Sequence, residues 1–174
     1  MGSPVHLVRR FFGSLRPGGP SASEREWAES QLLPGELELW RRMPGPDRRH
    51  SAAVARRVQR SLGDEATRPV LAAALLHDVG KLDAHMRTYG RVIATLCGAV
   101  VKHDPVVIRQ WTTTSGFTRR VGLYLSHPRL GGDLLRMAGS DPLTVAWAEQ
   151  HHLPYEEWTV EPELAAALSA ADDD

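Results

Sequence analysis

The sequence predicts an all-α fold, a compact helical bundle, and three observations carry that expectation. Apolar and inward-directed residues recur at spacings of four, as in His50–Val54–Val58 and Leu164–Leu168–Asp172. Capping residues, Pro and Gly punctuate the chain at helix-length intervals. No alternating strand of useful length, no internal repeat and no glycine-rich phosphate loop is found.

The elements follow in order. Val5–Phe12 reads as a short amphipathic helix, and Gly13–Ser23, with three Gly, two Pro and three Ser, as a linker. Ser23 is expected to cap the next helix, with Glu26 completing a capping box and Pro34-Gly35 ending it. Glu36–Met43 follows, closed by Pro44-Gly45-Pro46. Asp47 is expected to cap a helix through His50, Val54 and Val58 to Gly63. Asp64 is expected to cap another, running through Val70–Leu76 into His77-Asp78 and closing at Gly80. In the middle, Tyr89–Val101, Val106–Trp111 and Phe117–Leu125 read as helices, with Thr112–Gly116 as a loop. The last three helices each open on a Pro, in Ser126-His127-Pro128, Asp141-Pro142 and Glu161-Pro162. The expected division is an N-terminal helical extension with its linker over 1–46 and one main domain over 47–174.

Bulk properties bound the function. A chain of 174 residues with 42% hydrophobic and 24% charged residues has the makings of one domain with a real core. Twenty-one basic residues balance 21 acidic ones, so no net charge points to a nucleic-acid polymer. Many arginines fall in pairs, among them Arg41-Arg42, Arg48-Arg49 and Arg119-Arg120, and the guanidinium fork suits phosphate. Cys97 is the only cysteine, which excludes an internal disulfide and a thiolate zinc cluster and fits a reducing, cytoplasmic setting. The longest apolar run, Val92–Val101, is far short of the roughly 20 residues a membrane span needs. The N-terminus lacks the order of a signal peptide, and peripheral membrane contact through its first helix is the remaining membrane expectation.

The histidines and aspartates carry the chemistry. His50 shares the apolar face of its helix, Leu143, Trp147 and His151 repeat the spacing of four, and His152 adjoins. His77-Asp78 closes the most apolar run of the chain. Asp172 continues the Leu164–Leu168 face, whereas Asp173 and Asp174 rotate away by about 100° and 200°. With five helices aiming imidazoles or carboxylates inward, a shared divalent cation removes a burial cost of several kcal/mol per unpaired group. Asp83, His85, His103 and Asp104 fall outside these faces and are expected at the surface.

His50, then Leu75-Leu76-His77-Asp78-Val79-Gly80-Lys81, then Asp172, resembles the signature of the HD-domain superfamily of metal-dependent phosphohydrolases. His127-Pro128-Arg129-Leu130-Gly131 followed by His151-His152 is similar to the HD-GYP subgroup, with a longer interval before the His-Pro motif, as an insertion would give. The subgroup's "DGxGYP" loop is absent, and Leu153-Pro154-Tyr155-Glu156-Glu157-Trp158 stands in its place.

The resemblance implies hydrolysis of a phosphomonoester or phosphodiester, such as a nucleotide, by metal-activated water. It implies two divalent ions, Fe or Mn with Mg compatible. His50, His77 and Asp172 would hold the first, His127, His151 and His152 the second, and Asp78 would bridge both. Lys81, one turn after His77, would neutralise developing phosphate charge, or else offset the helix dipole. The rival expectations are a mononuclear enzyme, a non-enzymatic signalling scaffold or ligand sensor of the same fold, and a membrane adaptor.

Overall fold

The computed structural model describes residues 18–173. The helix expected at Val5–Phe12, the start of the linker and Asp174 lie outside that range. The described residues form ten α-helices and no strand. These are α1 (Ala22–Ser30), α2 (Pro34–Arg42), α3 (Gly45–Leu62), α4 (Arg68–Leu76), α5 (Thr88–Val100), α6 (Pro105–Thr112), α7 (Gly116–Leu125), α8 (His127–Met137), α9 (Pro142–Gln150) and α10 (Pro162–Asp173). Short 3-10 turns cover Gly63–Glu65, Val79–Ala84 and Tyr155–Glu157.

Helix α4 is the axis of the bundle, since every residue from Val70 to Leu76 is buried. A helix apolar on all sides must be enclosed. It is, with α3 and α9 packed against it, α10 on α3 and α8 on α9. Complete burial of Leu75 or Leu76 contributes on the order of 2 kcal/mol each. Helices α1 and α2 share this core through Ala28, Leu39 and the fully buried Trp40, whose Nε1–H donates to Ser51 Oγ at 3.1 Å. Buried Glu36 accepts from Leu33 N–H and from Arg68, tying α2 to α4.

Helices α5–α7 occupy the long interval between the two motifs. They close around a second, smaller core of Ala84, Met86, Ala94, Val121 and Leu123. Cys97 is half-buried against it.

Several boundaries depart from the sequence expectation. Ser21, not Ser23, caps α1, and the capping box is made with Glu24; the Ser-x-x-Glu pattern recurs two residues apart, so spacing alone does not choose between registers. Pro34-Gly35 opens α2 instead of ending α1, as Pro can at a first turn. Asp47 lies in the first turn of α3 and pairs with Arg91, while Pro44 holds the cap position. Thr67, not Asp64, precedes α4. Helix α4 stops at Leu76, and the chain continues as a tighter 3-10 turn from Val79.

Gly80 does not end a helix by adopting positive φ. A Cβ at Gly80 would collide with the His127 carbonyl and with the backbone nitrogen of Gly131. The missing side chain lets the 3-10 turn lie directly on the first turn of α8 and brings His77-Asp78 up to His127. Gly80→Ala is expected to cost about 3 kcal/mol or more, because backbone, not a flexible side chain, must move. Equilibrium urea unfolding measures it, and a loss below about 1 kcal/mol would contradict the close-packing role.

Candidate metal centre

Each site residue sits where its helix meets the centre. His50 lies in α3 and Asp172 in α10; His77 caps the C-terminus of α4, and Asp78 begins the turn after it. His127 is the first residue of α8, and His151 caps α9 with His152 next. All seven residues come together, in two groups joined through Asp78. His50, His77 and Asp172 form one set and Asp78, His127, His151 and His152 the other, the potential ligand atoms of each set lying within 4.8 Å of one another.

Backbone carbonyls settle how three imidazoles face the centre. Nδ1 of His77 lies 3.0 Å from Ala74 O, Nδ1 of His127 lies 2.7 Å from Tyr124 O, and Nδ1 of His151 lies 3.0 Å from Ala148 O. A carbonyl only accepts, so Nδ1 carries the proton and Nε2 turns a lone pair inward. The atoms facing those lone pairs are also acceptors. Asp78 Oδ1 is 3.4 Å from His127 Nε2 and 3.7 Å from His151 Nε2, and Asp78 Oδ2 is 3.5 Å from His77 Nε2. His77 Nε2, His151 Nε2 and Asp78 Oδ1 are buried with no hydrogen-bond partner.

Three orphaned acceptors at one point are costly unless a cation sits among them. His50 Nε2 is 2.8 Å from Asp172 Oδ1, which His77 Nε2 approaches to 3.6 Å. His127 Nε2 and His152 Nε2 are 3.2 Å apart. Two nitrogens bound at about 2.1 Å to one ion would lie about 3 Å apart, so these spacings suit the edges of a coordination shell.

Lys81 donates from Nζ to Asp78 Oδ2 at 2.5 Å and is itself nearly buried. Burial pushes the Asp78 carboxyl upward, but the neighbouring Lys81 ammonium outweighs it and holds the group well below the usual carboxylate range. Burial lowers His127 to about 4 and lowers His151 as well, against the opposing pull of Asp78. These imidazoles therefore stay neutral, the ligand form, at ordinary pH.

The sign of the pH dependence follows. An unfolded chain protonates this histidine near 6.5, so between that pH and about 4 the unfolded state binds more protons. Chelator-treated protein is expected to lose stability as pH falls through that window and to hold it above. Thermal melts from pH 7.5 down to 4 check this, and a Tm that rises on acidification would contradict it.

His152 is the one exposed member of the seven, so the centre opens on its side. A cleft of about 780 Å³ is lined by Ser126 and Pro128, which flank His127 in the chain, and by Leu153, which follows His152; none of the seven residues of the centre lines it. Ile108, Arg109 and Arg129 form other parts of its wall. Pockets of this size are typical of small-molecule sites.

Of the residues expected at the surface, His85 and Asp104 are exposed and Asp83 is half-buried; Asp104 caps α6 through Val106 and Val107 N–H. His103 is exposed but lines the cleft, which its sequence position does not signal. Sequence reading also misses the Asp47–Arg91 pair, bidentate at 2.7 and 2.6 Å, which anchors α5 one turn before His50. No local signal links residues so far apart. The orienting carbonyls of Ala74, Tyr124 and Ala148 are legible in hindsight, each three residues before a helix-terminal histidine.

The fold and site thus define an all-α protein with a buried His/Asp centre that can hold a metal ion. No helix among the described residues is long and apolar enough to cross a membrane. Comparison with family models, with curated proteins and with solved structures returns no match.

Proposed function

We propose that the protein is a metal-dependent phosphohydrolase of the HD type, acting on a phosphomonoester or phosphodiester. The observation that carries this reading is the pair of ligand sets sharing Asp78, with Oδ1 toward His127 and His151 and Oδ2 toward His77. His50, His77 and Asp172 would hold one ion and His127, His151 and His152 a second, with Asp78 between them. A set of imidazoles and carboxylates without thiolate suits Fe or Mn, with Mg compatible. When bound, such ions supply Lewis acidity toward phosphate oxygens and lower the pKa of water.

The chain's own residues do the rest. Carbonyls of Ala74, Tyr124 and Ala148 hold three imidazoles in one tautomer, so no reorganisation is needed as charge develops. Lys81 places a positive charge at Asp78 Oδ2, where it would offset negative charge developing at the centre. Arg109 in the cleft offers a planar donor to an anionic substrate, whereas Arg129 is already paired with Asp133 and Glu149 brings a carboxylate to the same wall; Ile108, Pro128 and Leu153 shield an apolar part from water. The segment in place of a "DGxGYP" loop turns back on α9, where Trp158 Nε1–H is shared between Gln150 O and Leu153 O. That closure argues for a substrate bound through the cleft, not through a dinucleotide loop.

Anaerobic purification, elemental analysis and a panel of nucleotides, phosphodiesters and aryl phosphates test the reading. Hydrolysis that depends on added Mn or Fe is expected; metal-loaded protein inert toward the whole panel would sink the enzyme and leave a metal-dependent ligand sensor. Asp172→Ala is expected to lower metal content, because Asp172 faces His50 and His77, while exposed Asp173→Ala should leave it unchanged. Equal losses from both would mean that the end of α10 is placed differently in solution.

A further inference from the structure

Helices α5–α7 carry a surface that the centre does not use. Along α5, Tyr89, Val92, Ile93, Leu96 and Val100 are all exposed, Tyr89 by 71%, Leu96 by 62% and Val100 by 82%. Their spacing of three and four puts them in one stripe, and no charged side chain interrupts it. The same subdomain exposes Val106 and Phe117. A chain whose charges balance overall is strongly basic here: from Arg87 to Leu125 there are six arginines and lysines against Asp104 alone. Arg87, Lys102 and Arg119 are exposed and make no ion pair among the described residues, and the carboxylate of Asp104 is occupied in capping α6.

An exposed apolar stripe in a subdomain that also exposes unpaired cations is the footprint of an anionic bilayer surface. A second copy of the chain fits less well, because a two-fold contact through this stripe would bring together two copies of the same basic segment. With 13 residues, α5 is about 20 Å long, too short to span the hydrocarbon core, so it would lie in the interface with the stripe downward. We propose that the α5–α7 subdomain docks the protein on membranes rich in anionic lipid, through the α5 stripe and the cations Arg87, Lys102 and Arg119.

Co-sedimentation of the full chain with vesicles tests this. Wild-type protein is expected to bind mixed phosphatidylcholine and phosphatidylglycerol vesicles, and to bind pure phosphatidylcholine vesicles much less. Leu96→Glu, and separately the Lys102→Glu, Arg119→Glu double variant, should weaken partitioning roughly tenfold or more. Both sites are exposed, so helicity by circular dichroism should match the wild type. Absence of binding to the mixed vesicles overturns the proposal. So does a Leu96→Glu variant that binds as well as wild type, which would move the contact elsewhere on the chain. A wild-type dimer in sedimentation velocity that Leu96→Glu splits, without any vesicle binding, would overturn it in favour of self-association.

Discussion

Asp78→Ala is expected to strip metal from both halves of the centre, taking purified protein from about two ions per chain to nearly none. The two oxygens of Asp78 face both ligand sets, Oδ2 toward His77 and Oδ1 toward His127 and His151, so its loss should not be confined to one of them. Turnover should fall by more than the roughly 10–100-fold that removal of an orienting neighbour costs. The variant will also be destabilised, because Lys81 loses a carboxylate 2.5 Å away while remaining nearly buried. His77→Ala separates the two effects, since His77 holds no such cation and its Nδ1 bond is only to the end of its own helix. Elemental analysis with circular dichroism distinguishes them. Retention of a full metal complement by Asp78→Ala would refute the shared centre.

Lys81→Ala is expected to slow turnover by about 10²-fold or more while leaving metal content near that of wild type. The charge of Lys81 is the strongest influence holding the Asp78 carboxyl low against burial. Removing it raises that carboxyl in the metal-free protein, so metal uptake by the variant should fail at a higher pH than in wild type as the solution is acidified. Lys81→Arg should restore part of the rate, because it keeps the charge. If metal and activity fall together, Lys81 acts by orienting Asp78, and the helix-dipole role considered from its position gains nothing.

Much of the candidate set is legible in the sequence because helical periodicity is a local property, whereas His127 enters only through the resemblance of its His-Pro motif. His50 and Asp172 could be placed on inward faces by their spacing from Val54 and Leu168, and Asp172 could be preferred to Asp173 on rotation alone. The all-α class followed from the same periodicity. Exact helix starts were less legible, because Ser21 and Ser23 offer the same capping chemistry and only packing selects between them.

Gly80 shows the limit from the other side. Its position at a helix end suggested a backbone requirement, but the requirement is the absence of a side chain against α8, which involves a residue 47 positions away. The Asp47–Arg91 pair, the cleft lined by Ser126, Pro128 and Leu153 and the exposed stripe of α5 were likewise beyond local reading. Alone, α5 looks like an ordinary buried amphipathic helix; that its apolar side faces outward depends on what α7 leaves uncovered.

The amino-acid sequence by itself therefore determines that the chain is helical and that His50, His77, Asp78, His151 and Asp172 lie on or at the end of apolar helix faces, since both depend on contacts within a turn or two. Only the tertiary structure decided that those side chains divide into two sets about Asp78, that three imidazoles present Nε2 lone pairs to it, and which surfaces stay open. Those outcomes depend on distances between helices that are far apart in the chain, and such distances are set by side-chain volume and backbone approach summed over the whole core.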